Sequence, residues 1–182
     1  TQTPQQNFRK RFTYDEQKRI TQVTLEEQFV SNNGTPNTNM QLSHTYDFTW
    51  DAQSNVTSVK MTFSDAYYNS VNTGGVKYYV YTWSGFSAGY ANTLKLANIG
   101  LDFFGPYGYH SNLIDGGGNG AMLYGPYFMG KQLPTGISYQ GYDRNNNPKG
   151  AAVSYGYTYE KDSKGRITMY SNDGETYRFS YQ

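Results

Sequence analysis

One phrase, used three times, limits what this chain can fold into: an aromatic strand, an Asp, three loop residues, Arg or Asn, a β-branched apolar residue, then Thr. It reads Phe12, Thr13, Tyr14, Asp15, then Arg19, Ile20, Thr21. It returns as Phe48, Thr49, Trp50, Asp51, then Asn55, Val56, Thr57, and again as Tyr157, Thr158, Tyr159, with Asp162, then Arg166, Ile167, Thr168. A short polar turn between β-branched and aromatic runs is a hairpin signal: Asp bonds the backbone at the bend, and Gly165 or Asn55 is expected to take up a positive φ. Repetition of the phrase predicts a sheet made of consecutive antiparallel hairpins.

Strand and turn alternate accordingly over 8 to 14, 19 to 30, 39 to 50 and 55 to 63, with Asn32, Asn33, Gly34 and Pro36 breaking the second run from the third. A fifth strand is predicted from Val76 to Trp83, with Tyr79, Tyr81 and Trp83 on one face. Ala91, Leu94, Ala97, Leu101 and Phe104 fall at helical spacing, which predicts a short helix near 90–101. An irregular glycine-rich insertion follows at about 105–135, and strands resume over 136 to 142, 150 to 160, 165 to 171 and 175 to 181, with Asp173 and Gly174 in the last bend. The predicted fold is all-β and mainly antiparallel, a strongly curved meander or partly open β-barrel with that one helix; a sandwich is the alternative. Residues 1–7 read as a disordered tether and 8–182 as a single domain.

The 182 residues contain 20 Tyr and are 18% aromatic, so buried area has to come largely from rings with a polar edge. Fifteen basic residues against fourteen acidic ones give a net charge of +1 with no basic run, which argues against nucleic acid as a partner. Cysteine is absent, removing disulfides, thiolate metal sites and a thiol nucleophile.

The motifs that could carry chemistry each fail a requirement. Gly85, Phe86, Ser87, Ala88, Gly89 match a nucleophile elbow, and Asp102 and His110 follow in the right order, but that hydrolase fold needs a parallel sheet with crossover helices. Ser87 is expected in a glycine-rich turn, and a Ser87 hydrolase is the least favoured reading. Gly125 with Gly130 and Lys131 imitates a phosphate loop, but Gln132 stands where Ser or Thr must hold magnesium. Asp143, Asn145 and Asn147 have calcium-loop spacing, but Pro148 replaces the required Gly and Ser154 the bidentate Glu, so a turn Asp is expected. His44 is expected on a strand face, with His110 in the irregular region, and the two do not make a metal pair by spacing. No metal site and no cofactor are expected.

The remaining candidates are rings. Tyr79, Tyr81, Trp83, Tyr107, Tyr109, Tyr124 and Tyr127 are read as ligand-binding residues, because flat rings with hydroxyl edges suit sugar faces or apolar ligands; the competing reading makes them core.

The stretch Tyr46 to Thr57, the aromatic hairpins, the helix-like Asn92 to Leu101, and Gly130, Lys131, Gln132, Leu133, Pro134 resemble the domain of unknown function with a porin-like fold, found in exported envelope lipoproteins of Gram-negative bacteria. The hairpin phrase is also similar to the Tyr-Asp repeats of secreted proteins, from which this chain departs where the glycine-rich region interrupts it. The resemblance implies an exported, curved β domain at the periplasm or outer-membrane surface, held by an N-terminal lipid anchor outside this numbering, with no established catalytic residues. The expected function is non-enzymatic: binding of a glycan, a small apolar ligand or an envelope protein by a monomer. The alternative, an integral outer-membrane barrel, requires an apolar lipid-facing side. The strand from Val56 to Phe63 has polar residues on both faces, Thr57 on one and Ser58, Lys60 and Thr62 on the other, which disfavours it.

Overall fold

The computed structural model describes residues 8–28, 39–91, 130–172 and 175–181. The tether at 1–7, the helix expected near 90–101 beyond Ala91, and the insertion up to residue 129 lie outside these residues.

The fold is all-β. Nine strands, β1 (Phe8–Tyr14), β2 (Ile20–Glu27), β3 (Gln41–Trp50), β4 (Val56–Phe63), β5 (Tyr78–Ser84), β6 (Gly136–Tyr142), β7 (Pro148–Lys161), β8 (Ile167–Asn172) and β9 (Glu175–Arg178), lie in one sheet in sequence order. Among the described residues the order ends at β1 and β9 without joining, so the meander is open.

The repeated phrase makes the turns, and the structure adds a fourth turn of the same form at Asp143, without the β-branched residue and Thr that follow in the other three. In each, the Asp N–H donates to the carbonyl of the residue four positions on, and the residue three positions on donates back to the Asp carbonyl: Asp15 with Arg19 and Lys18, Asp51 with Asn55 and Ser54, Asp143 with Asn147 and Asn146, Asp162 with Arg166 and Gly165. This is a three-residue hairpin loop, a type I turn closed by a left-handed residue. The left-handed residues are Lys18 (φ 60°), Ser54 (φ 65°), Asn146 (φ 64°) and Gly165 (φ 76°). Gly165 was expected there; Asn55 was not the residue, because the left-handed position precedes it. Each Asp side chain accepts the backbone N–H four residues on, at 2.8 Å for Arg19, 2.8 Å for Asn55, 2.9 Å for Asn147 and 2.9 Å for Arg166.

The Thr that ends the phrase also acquires a reason. Tyr14 pairs with Ile20 while Thr13 pairs with Gln22, and Lys161 pairs with Ile167 while Glu160 pairs with Met169. Thr21 and Thr168 are thus the extra residues of β-bulges, and Thr21 Oγ1 donates to the Thr13 carbonyl at 3.3 Å. In these two copies the phrase encodes a turn followed by a bulge.

A six-residue helix, α1 (Asp65–Ser70), was not anticipated. Ser64 is its N-cap, with Oγ accepting from the Tyr67 N–H at 3.0 Å, and Asp65 occupies the first turn. Lys77 Nζ at 2.8 Å and Arg144 at 3.0 Å hold the Asp65 carboxylate, and Arg144 also donates to Asn69 at 3.0 Å.

Two compact units are present. The first comprises Thr1–Thr49, Val59–Val80 and Gln140–Ala152, with a core of Val23, Leu25, Tyr46, Phe48, Val59, Met61, Phe63 and Val76. The second comprises Trp50–Ser58, Tyr81–Tyr139 and Val153–Gln182, with a core of Val56, Tyr81, Trp83, Leu133, Ile137, Tyr157, Ile167 and Tyr170. Burial of each large apolar side chain stabilises by about 1.5–3 kcal/mol before entropy is counted.

Candidate functional site

Tyr81 and Trp83, two of the sequence-predicted rings, begin a row that runs across three strands of the second unit. Both project from β5 toward the core at 2% and 3% exposure, as period-2 alternation requires. Their rings stand 6.4 Å apart and 28° from parallel. Tyr139 on β6 lies 5.7 Å from Tyr81, and Tyr155 on β7 lies 6.5 Å from Tyr139 at 28°. Tyr139 and Tyr155 are half-buried, so the row grades from core to solvent. At its buried end, the Trp83 indole Nε1 has no hydrogen-bond partner among the described residues. A buried N–H left without any partner would cost roughly 1–3 kcal/mol.

Tyr79 lies in the first unit instead. It is half-buried, with its ring 6.3 Å from Phe63 in an edge-to-face contact. Gly141 makes room for it, since a Cβ there would come within 3.1 Å of the Tyr79 ring. Tyr107, Tyr109, Tyr124 and Tyr127 fall outside the described residues.

Phe63 belongs to a polar-aromatic cluster that the sequence did not single out. Ser43 and His44 are adjacent yet both fully buried, because the pairing of β2 with β3 slips between Leu25 and Glu26 and turns two successive β3 side chains inward. Ser43 Oγ donates to the Leu25 carbonyl at 3.1 Å and contacts His44 Nδ1 at 2.8 Å, so the imidazole donates to it. Glu27 Oε1 lies 3.7 Å from the same nitrogen. The imidazole is packed by Phe63 at 5.1 Å, Tyr67 at 4.6 Å and Tyr46 at 6.2 Å. Burial first, then the Glu27 charge and Tyr67, push the Tyr46 hydroxyl well above the ordinary tyrosine range. His44 does sit on a strand, as expected, but as core.

Ser87 caps a 3₁₀ turn at Ala88–Tyr90, its side chain accepting from the Gly89 N–H at 3.2 Å. Gly85 is required by close approach: it has φ +71°, and a Cβ would fall 1.9 Å from Thr135 Oγ1. The Gly-x-Ser-x-Gly spacing is thereby accounted for by turn geometry; Asp102 and His110 lie outside the described residues.

Gln132, the residue that spoils the phosphate loop, serves the β3–β4 turn. Its backbone N–H donates to Asn55 Oδ1 at 2.8 Å and its Oε1 accepts from Asn55 Nδ2 at 3.0 Å, while Nδ2 also reaches Asp51 Oδ2 at 3.0 Å. Asn55 is 1% exposed, which explains why this copy of the phrase has Asn where two others have Arg. The Asp143 carboxylate is taken up by its own turn, by the backbone N–H groups of Asn145 and Asn147 and the Asn147 amide. It is a turn Asp, as expected. Among the described residues, no group of three or more His, Cys, Asp or Glu is arranged to hold a metal ion.

A second ring pair faces outward in the first unit. Tyr78 and Tyr142 stack at 4.9 Å and 13°, Lys60 Nζ lies 4.2 Å over the Tyr78 ring, and the Tyr78 hydroxyl donates to Asn146 at 2.9 Å. Burial, then Tyr142 and Asp143, raise the Tyr78 hydroxyl above its ordinary value.

These features define an open, antiparallel, ring-rich β-meander. No family model matches the sequence, and a search of curated proteins finds no match. Among solved structures the chain is similar to a porin-like protein from Bacteroides uniformis ATCC 8492, at 12% identity and a TM-score of 0.43, over 96% of this chain and 56% of that one. The chain thus spans little more than half the length of that protein, and at this TM-score the likeness carries no argument about activity.

Proposed function

We propose that this chain is a non-enzymatic domain of an exported cell-envelope protein that binds a glycan or small apolar ligand on the Trp83, Tyr81, Tyr139, Tyr155 row. The observation that carries the reading is the gradation of that row from core to solvent, with a buried indole N–H at its inner end. Half-buried tyrosines offer flat apolar faces for stacking against a sugar ring or an apolar ligand. The envelope location, with a lipid anchor outside this numbering, rests on the family resemblance of Tyr46 to Thr57 and of Gly130 to Pro134. An integral outer-membrane barrel fits less well: on β4, Lys60 is exposed and Ser58 and Thr62 are half-buried, on the side opposite the buried Val59, Met61 and Phe63.

The test is detergent-free purification of residues 1–182 from the envelope, followed by native mass spectrometry of the wild type and of Tyr155→Ala. A reproducible added mass on the wild type, lost from Tyr155→Ala, supports the reading. A protein that stays soluble with no added mass contradicts it, and a protein that requires detergent favours the barrel.

A further inference from the structure

Neighbouring strands of the first unit set two tyrosines against each other, Tyr78 opening β5 and Tyr142 closing β6. Their rings are 4.9 Å apart and within 13° of parallel. That stack is closer and flatter than Tyr81 with Tyr139 at 5.7 Å and 31°, Tyr139 with Tyr155 at 6.5 Å and 28°, or Tyr90 with Tyr159 at 5.0 Å and 46°. The backbone holds it in place, since the Lys77 N–H donates to the Tyr142 carbonyl at 2.7 Å. The Tyr78 hydroxyl is fixed on Asn146 at 2.9 Å, and β4, on the side of β5 away from β6, brings Lys60 Nζ 4.2 Å over the Tyr78 ring. Tyr78 thus has an ammonium on one side and the Tyr142 ring on the other. Both rings are half-buried, which leaves them partly open to small solutes.

The chain has 20 Tyr and no Cys, so a covalent tie between its strands cannot be a disulfide. We propose that Tyr78 and Tyr142 are an oxidative modification site, coupling ring carbon to ring carbon into a dityrosine that joins β5 to β6. The co-reactant is a one-electron oxidant, supplied by peroxide turned over by a peroxidase. Each tyrosine gives up one electron to the oxidant and its phenolic proton to water. The two phenoxyl radicals then form a bond between the carbons ortho to their oxygens, and the hydrogen on each of those carbons shifts to its oxygen as the ring regains aromaticity. In sum, two tyrosines lose two hydrogens, and one hydrogen peroxide becomes two waters. An offset, near-parallel stack places the edges that carry the ortho carbons beside the partner ring. Because both radicals arise already in contact, their coupling outpaces encounter with a second chain. The tie closes the loop from residue 78 to residue 142, restricting the unfolded chain and so stabilising the fold.

The test treats dilute residues 1–182 with hydrogen peroxide and a peroxidase, followed by trypsin and mass spectrometry. Cleavage after Lys77, Lys95, Lys131 and Arg144 releases Tyr78 in peptide 78–95 and Tyr142 in peptide 132–144. The wild type should give a single-chain product two hydrogens lighter, with these peptides joined and fragmentation placing the link at Tyr78 and Tyr142. Tyr78→Phe and Tyr142→Phe each keep a ring in the stack but have no phenolic hydrogen to lose, so either should abolish the joined peptide without unfolding the sheet. No joined peptide from the wild type, a link between other tyrosines, or a joined peptide that persists in either variant overturns the proposal.

Discussion

Lys18 and Ser54 hold φ values of 60° and 65° at the position that Gly165 fills in the last copy of the turn. A side chain there crowds the following carbonyl, whereas glycine does not. Lys18→Gly and Ser54→Gly should each stabilise by about 0.5–1 kcal/mol, seen as a higher urea midpoint at unchanged slope. A lowered midpoint contradicts the turn assignment. Asn55 is the opposite case. Asn55→Ala removes bonds to Asp51 and to both the backbone and side chain of Gln132, leaving buried groups unpaired, and should cost about 2–3 kcal/mol by the same measurement. The role of Asn55 was not legible in the sequence, because its partner Gln132 lies 77 positions away and only the fold brings them together.

At the scale of the element, the hairpin phrase was legible because each of its parts is local. The Asp, the left-handed position and the bulge Thr lie within seven residues, and all act on their own turn. Strand positions followed from it to within a few residues; β9 stops at Arg178, short of the expected 181. The helix α1 was missed because six residues give no hydrophobic period to detect, although Ser64 followed by Asp65 is an N-terminal signal that could have marked it. His44 was legible as a strand residue but not as core, since the slip beside Ser43 breaks the alternation on which face assignment depends.

The turns also predict an acid response. In Asp15, burial pushes the carboxyl up, but the Arg19 backbone N–H and guanidinium and the Gln17 N–H outweigh it and hold it below the ordinary 3.8. The Asn147 side chain and backbone lower Asp143, the Arg166 backbone N–H leads in lowering Asp162, and Lys77 leads in lowering Asp65. A carboxyl held below its unfolded value contributes stability that is present above 3.8 and is lost as pH falls through 3.8 toward the folded value. Thermal midpoints should therefore drop on the acid side of 3.8, and combined Asp15→Asn, Asp143→Asn and Asp162→Asn should flatten that drop while lowering the midpoint at neutral pH. An unchanged acid limb contradicts the role given to the turns.

For the whole molecule, the class of fold was legible because every hairpin is between sequence neighbours, so the strand order follows the chain. The candidate site was legible only in part. Tyr81 and Trp83 follow from alternation within one strand, whereas Tyr139 and Tyr155 join them only through the lateral register of β5, β6 and β7, which no local pattern specifies. The central claim is that this row of rings is a binding surface rather than only core. Its most direct measurement is calorimetric titration of residues 1–182 with soluble oligosaccharides and with a small aromatic or aliphatic probe, comparing wild type with Tyr155→Ala. The account predicts saturable binding by the wild type and an affinity about tenfold weaker in the variant, equivalent to about 1.4 kcal/mol, with the fold unchanged. No binding of either kind of probe by the wild type, or equal binding by both proteins, would contradict it.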